Sequence, residues 1–245
     1  MIHIKSQHEI DLMLAGGKIL SEILRKLSEA VKVGMTTNDL DLLARQLVLD
    51  YGVESSFLGY NGFPAALCIS INDEVVHGIP SSRVIEDGDL VSVDMGVLYK
   101  GFHTDSAVTV IAGKGDAKKH KLINITREAL RIGVQKALPG NTTGDIGAAI
   151  QEYVEAQGFN VPRELVGHGV GKKLHEAPEV PNYGNPGEGT KLESGMVIAI
   201  EPMVVVGDWR VKEKGHVFCT KDGSLAAHFE HTVAVTEGEP IILTE

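Results

Sequence analysis

Apolar residues Ile10, Met13, Leu14, Leu20, Ile23, Leu24, Leu27 and Val31 recur at helical spacing, which predicts a helix over 8–31, closed by Gly34. The stretch GMTTNDLDLLARQLVLDYG (34–52) predicts a second helix, capped by Thr37 or Asn38 and ended by Gly52. Farther on, KKHKLINITREALRIGVQKAL (118–138) has the same periodicity and runs into a fourth helix in PGNTTGDIGAAIQEYVEAQG (139–158). Elsewhere the pattern is that of strands. DGDLVSVDM (87–95), DSAVTV (105–110), SGMVIAIEP (194–202) and EHTVAV (230–235) are apolar or alternating, and each carries an acid at one end.

These elements come in a repeated order. The pattern G-x-T-T-x-D begins at Gly34 and again at Gly140, with a closing glycine 18 residues on in both places. Asp94 stands six residues after Gly88, and Glu201 six after Gly195. DSAVTV and EHTVAV both set an acid, Asp105 or Glu230, at the head of an apolar strand. The chain 1–245 therefore reads as one α+β catalytic domain. Its two related helix–helix–strand–strand halves, about 1–112 and 113–245, pack on one mainly antiparallel sheet. A site at the seam would draw acids from both halves.

Acids are poor strand formers, so their presence needs a reason. A turn centred between Tyr99 and Lys100 would put Asp94 directly opposite Asp105, with Cβ atoms about 4.5–5.5 Å apart. Two such carboxylates could share a proton. Four converging carboxylates need more positive charge than one proton supplies, and a pair of divalent metals meets the need. Metal sites of this kind commonly add an imidazole. The best candidate is His168 in LVGHGVGKKLHEAP (165–178), whose flanking glycines suit a close approach of backbone. His175, and His77 in CISINDEVVHGIP (68–80), are further candidates. His3, His8, His120 and His216 read as surface or capping residues.

Composition narrows the field. The chain has 245 residues, 43% of them hydrophobic, which is enough for a sizeable core. Its net charge of −10 is spread without a basic stripe, so no nucleic-acid site is expected. No apolar run is long enough to span a bilayer, and the start lacks a secretory pattern. Cys68 and Cys219 stand singly, which argues against a disulfide framework or a thiolate zinc site. The expected setting is the cytoplasm, away from membranes. No Walker-type glycine loop appears that would support phosphoryl transfer.

The spacing of Asp94 to Asp105, followed by GHGVG, IEPM and FEHT, resembles the methionine aminopeptidases of the pita-bread metallopeptidase fold, across essentially the whole chain. The resemblance implies a curved, mainly antiparallel sheet with two pseudo-symmetric halves. It also implies a site for two divalent metal ions (Co, Mn, Fe or Zn) held by Asp94, Asp105, His168, Glu201 and Glu230. In that family two further histidines match His77 and His175. Glu201 takes the place of the acid/base, His175 that of the group polarising the scissile carbonyl, and His77 lies near the scissile nitrogen. Tyr60, Phe63 and Cys68 match the methionine pocket. The absence of a cysteine-rich N-terminal extension and the short span from His168 to Glu201 resemble the bacterial-style type I enzymes. Two positions depart from the pattern. Leu174 stands where an aromatic is common, and His216 falls near the place of a tryptophan, the chain's only tryptophan being Trp209.

By this resemblance the substrate is a peptide or nascent-chain N-terminus bearing methionine before a small residue. A transient ribosome contact and a monomeric state would accompany it. Two rivals use the same fold: an Xaa-Pro aminopeptidase or dipeptidase, which usually carries a further N-terminal domain, and a catalytically silent binding module.

Overall fold

Ser6 begins the first helix. Its hydroxyl accepts the Glu9 N–H while the Glu9 carboxylate accepts the Ser6 N–H at 2.9 Å, closing a capping box on α1 (Gln7–Ala30). The computed structural model describes residues 2–245. Along α1, Met13, Leu20, Ile23 and Leu27 are buried, and Gly16 and Gly17 bring the helix close to its neighbours. A Cβ on Gly16 would stand 3.0 Å from the Tyr99 side chain, and one on Gly17 would collide with the Leu243 carbonyl.

The next helix, α2 (Thr37–Tyr51), is capped by Thr36 rather than by Thr37 or Asn38. Thr36 has extended backbone angles and forms a box with Asp39, the Thr36 N–H reaching the carboxylate at 2.8 Å. Thr37 is buried, and its hydroxyl bonds to the Ser81 backbone. The second half repeats the device. Thr142 and Asp145 cap α4 (Thr143–Ala156), with the Thr142 N–H 2.7 Å from the carboxylate, and Thr143 is again buried. Gly34 and Gly140 precede the two boxes at φ 89° and 92°, a region open to glycine. Between the repeats runs α3 (Ala117–Gln135), shorter than its periodicity suggests. Pro139 disfavours helical angles at Leu138, and the helix has already ended at Lys136.

In the first half the strands are β1 (Glu54–Ser55), β2 (Cys68–Ile71), β3 (Glu74–Val76), β4 (Leu90–Tyr99) and β5 (Phe102–Ile111). The second half has β6 (Val166–Gly169), β7 (Glu176–Pro181), β8 (Val197–Ile200), β9 (Met203–Val205), β10 (Val211–Lys214), β11 (Val217–Thr220), β12 (Ala226–His228), β13 (Glu230–Ala234) and β14 (Ile241–Ile242). The main sheet runs β1-β4-β5-β13-β8-β6-β7, with β2 also on β4 and β14 on β13, all antiparallel. The two halves thus join along β5 and β13. Where β5 pairs β4 across a two-residue turn, β8 and β13 are separated by an excursion, 203–228, that forms one small sheet of its own and a second together with β3.

The β4–β5 register corrects one expectation. The turn residues are Lys100 and Gly101, at φ 49° and 84°, so Tyr99 pairs Phe102. Both positive angles belong to a two-residue hairpin turn of the primed type. The centre therefore lies one residue later than expected, Asp94 pairs Ala107, and Asp105 pairs Gly96. Asp94 and Asp105 are diagonal neighbours on one face rather than direct partners. Alternation explains their side of the sheet. Val91, Val93, Met95 and Val97 pack with Leu20, Ile23 and Leu40 beneath the helices, which turns Asp94 the other way. A second core cluster places α3 and α4 against Ile198, Ile200 and Val233. No helix among the described residues is long and apolar enough to cross a membrane.

Candidate active site

The acids gather around a small residue. Ala107 pairs Asp94 on one side and Glu230 on the other, so the three share a row across β4, β5 and β13. Asp105 lies two residues before Ala107 on the same face. Only two residue pairs join β5 to β13, and side-chain hydroxyls reinforce this seam. Thr232 Oγ1 accepts the Asp105 N–H at 2.8 Å and donates to the Asp105 carbonyl at 2.7 Å. The Ser106 hydroxyl donates to the Glu230 carbonyl at 2.7 Å. Thr109 does the same for His228 at 2.8 Å.

Glu201 follows the last residue of β8, and His168 projects from β6. His168 Nε2 is 3.6 Å from a Glu201 oxygen. One atom each from Asp105, His168 and Glu230 lies within 4.8 Å of the other two. The His168 Nδ1 is 2.9 Å from the Gly169 carbonyl, which can only accept. The proton therefore sits on Nδ1 and the Nε2 lone pair faces the acids. The glycines beside His168 have a packing reason. A Cβ on Gly167 would strike the Ala199 carbonyl and one on Gly169 the Ala177 carbonyl, because β6 is pressed between its neighbours.

Electrostatically, this cluster is incomplete. Asp94, Asp105 and Glu230 are buried, and Asp94 Oδ1 and Glu230 Oε1 have no hydrogen-bond partner. Burial pushes Asp105 up to about 7. Burial, then repulsion from the neighbouring acids, raises Asp94, Glu201 and Glu230 well above the usual carboxylate range. Burial, followed by His175, lowers His168 to about 4. Orphaned carboxylate oxygens, a neutral imidazole and four gathered acids form a donor set that suits hard divalent cations.

The acids open onto a cavity of about 940 Å³. Its wall includes every metal-ligand, catalytic and pocket candidate from the sequence: Tyr60, Phe63, Cys68, His77 and His175 join the acids and His168 there. His175 Nδ1 lies 2.8 Å from the Tyr60 hydroxyl, and its ring centroid is 4.2 Å from that of His168. Glu176, beside it, is fixed by buried Lys5 at 2.9 Å. His77 adopts φ 61°, unusual for a residue with a side chain, and packs edge-on against Phe218. Its neighbour Gly78 is required because a Cβ would strike the Ile69 carbonyl. Burial lowers His77 to about 4.

Two histidines read as surface residues are exposed, and they also border this cavity. His3 and His216 both line the cavity, His3 beside Glu9 at 3.4 Å and His216 close enough to depress His77. Leu174 packs behind the wall with Phe57 and Cys68, filling the place expected of an aromatic. Trp209 stands elsewhere, beneath Arg163 and Arg210. The sequence reading missed Phe57, which no periodicity marks, and His228. The latter is buried, has no partner at either ring nitrogen, and lies 3.7 Å from Glu201. Its position two residues before Glu230, at the end of the preceding strand, was the available signal.

Comparison with known proteins gives concordant results. Residues 11–237 match the family described as metallopeptidase family M24. A methionine aminopeptidase of Clostridium perfringens is 51% identical over all of this chain and 99% of its own length. Methionine aminopeptidase 1 of Bacillus subtilis is 45% identical over the same shares. Among solved structures, the methionine aminopeptidase of Thermotoga maritima superposes with a TM-score of 0.97 at 46% identity, covering both chains fully. The prolidase of Pyrococcus furiosus superposes at 0.81 with 26% identity, covering 99% of this chain and 65% of its own.

Proposed function

The chain belongs to metallopeptidase family M24, and on that footing we propose that it is a metal-dependent aminopeptidase removing N-terminal methionine from peptides and nascent proteins whose second residue is small. The observation that carries the reading is the set of four gathered acids with His168, opening onto a cavity walled by Tyr60, Phe63 and Cys68. In this reading Asp94, Asp105, His168, Glu201 and Glu230 hold two divalent ions, drawn from Co, Mn, Fe and Zn. Such ions make a water nucleophilic near neutral pH and polarise a carbonyl.

The chain's own groups do the rest. Tyr60, Phe63 and Cys68 receive the unbranched thioether side chain, backed by Phe57 and Leu174. With the Tyr60 hydroxyl, 2.8 Å away, as donor to His175 Nδ1, His175 carries its proton on Nε2 and can donate to the scissile carbonyl oxygen. His77 hydrogen-bonds near the scissile nitrogen and steadies the tetrahedral state. Glu201, as the carboxylate, takes a proton from the attacking water and returns it to the leaving amine, and its burial favours the protonated form it passes through in between. The halves 1–112 and 113–245 act as one catalytic unit, each contributing acids. Nascent substrates place the enzyme in the cytoplasm with transient access to the ribosome.

The test is hydrolysis of Met-Ala-Ser and of an Xaa-Pro peptide by chelator-stripped protein, with and without Mn²⁺ or Co²⁺, beside Asp94→Asn. Metal-dependent methionine release that the variant loses is the expected result. Preference for the Xaa-Pro peptide would shift the reading to the Xaa-Pro exopeptidases, and a failure to bind metal would remove it.

A further inference from the structure

Asp41 is a carboxylate only 4% exposed, on a helix and outside the acidic cluster. Its surroundings explain the burial. One oxygen accepts the Ala66 N–H at 2.7 Å, and the other accepts Arg45 Nε at 2.7 Å, one helical turn along α2. The Arg45 guanidinium also donates to the Pro64 carbonyl at 2.8 Å. Two side chains of one helix therefore grip the backbone of 64–66. The planar guanidinium can satisfy both acceptors at once, which an ammonium group does less well.

The gripped segment is one end of the loop that walls the cavity. At its other end Ser55 Oγ accepts the Phe57 and Leu58 N–H groups and donates to the Ala66 carbonyl at 2.8 Å. From Gly59 to Phe63 the backbone bonds only to the loop itself, as in Gly59 N–H to Phe63 O at 2.8 Å. Gly59, Asn61 and Gly62 sit at φ 84°, 47° and 82°, and the two glycines offer no side chain to brace the loop. The positions of Phe57, Tyr60 and Phe63 consequently depend on where the two ends are held, alongside the Tyr60 contact with His175 and the packing of Phe57 on Leu174.

We propose that Asp41 and Arg45 are a positioning pair that fixes the width of the side-chain pocket, and through it the choice of first residue. The pair touches no substrate and acts through the loop. The proposal rests on reading Tyr60, Phe63 and Cys68 as the methionine pocket. Replacing Asp41 with leucine leaves the Ala66 N–H without its acceptor and frees Arg45. Asparagine keeps one acceptor for Ala66 and should damage less.

The experiment measures kcat and KM for Met-Ala-Ser, norleucyl-Ala-Ser and Leu-Ala-Ser with wild type, Asp41→Leu, Asp41→Asn, Arg45→Met and Arg45→Lys. Mn²⁺ binding is followed in parallel by calorimetry. In Asp41→Leu and Arg45→Met the preference for methionine over leucine should fall about tenfold, the scale set by one methylene in an apolar pocket, chiefly through a higher KM for methionine. Mn²⁺ binding should not change, and the Asn and Lys variants should recover part of the preference. An unchanged preference, or an equal fall in kcat for all three peptides, overturns the proposal. Should Asp41→Leu not fold, Arg45→Met carries the same test, because the Arg45 side chain is 38% exposed. A wild type indifferent to its first residue overturns the pocket assignment together with the proposal. A selective wild type with unchanged variants overturns the proposal alone.

Discussion

Ala107 is a small side chain on the acidic face, and its size leaves room between Asp94 and Glu230. Ala107→Leu should fill that room. Overpacking of this kind costs about 1–3 kcal/mol, so the fold should survive while calorimetric Mn²⁺ binding is lost. Retained Mn²⁺ affinity would mean the row is not where the ions sit. The same acids set a pH dependence. Asp105 is raised to about 7, and Asp94, Glu201 and Glu230 higher than ordinary carboxylates, all led by burial. A carboxyl raised on folding stabilises the fold below its unfolded value near 4, and that contribution is lost as pH rises through the folded value. The buried histidines, lowered to about 4, work oppositely, but above about pH 7.5 they are mostly neutral in both states. As pH rises above about 7, chelator-stripped protein should therefore lose melting temperature, and saturating Mn²⁺ should flatten the slope. Identical slopes with and without metal would contradict this. At this scale the acids were legible because their positions repeat, whereas Asp41, Phe57 and His228 were not. Nothing local marks a residue whose role depends on what folds against it.

The capping boxes are the clearest case of sequence legible as physics. The repeated G-x-T-T-x-D pattern marked two helix starts. Which threonine caps depends on backbone angles at a single residue, and at the first start the expected caps, Thr37 or Asn38, lie one or two positions late. Thr36→Ala and Thr142→Ala should each cost about 1 kcal/mol, seen as a lower urea midpoint, and the double variant should lose about the sum. Midpoints that stay put would show the boxes to be dispensable. The β4–β5 hairpin was legible as an element but not in register, because Lys100 carries no turn signature and takes a positive φ only in company with Gly101.

Across the molecule, the seam between halves rests on only two backbone pairs, and side-chain hydroxyls reinforce the joining. Thr232→Val removes the acceptor of the buried Asp105 N–H, a loss of about 1–3 kcal/mol. It should weaken Mn²⁺ binding by about 10–100-fold, as expected when a group supporting a metal ligand is removed. Full affinity in that variant would show that the seam does not set the acids' spacing. The doubled order of elements was legible over the whole length of the chain. The excursion 203–228 was not, since it has no counterpart in the first half. Thr232 lies 127 residues after the aspartate it holds, and the adjoining Leu243 closes against the first helix at Gly17. During synthesis the β4–β5 hairpin can form long before its partner strand β13 has been made. A copy still lacking β13 has no Glu230 to complete the cluster and is therefore inert until that strand has emerged. Work on emerging chains falls to molecules finished earlier, so the activity is handed from one generation of the enzyme to the next.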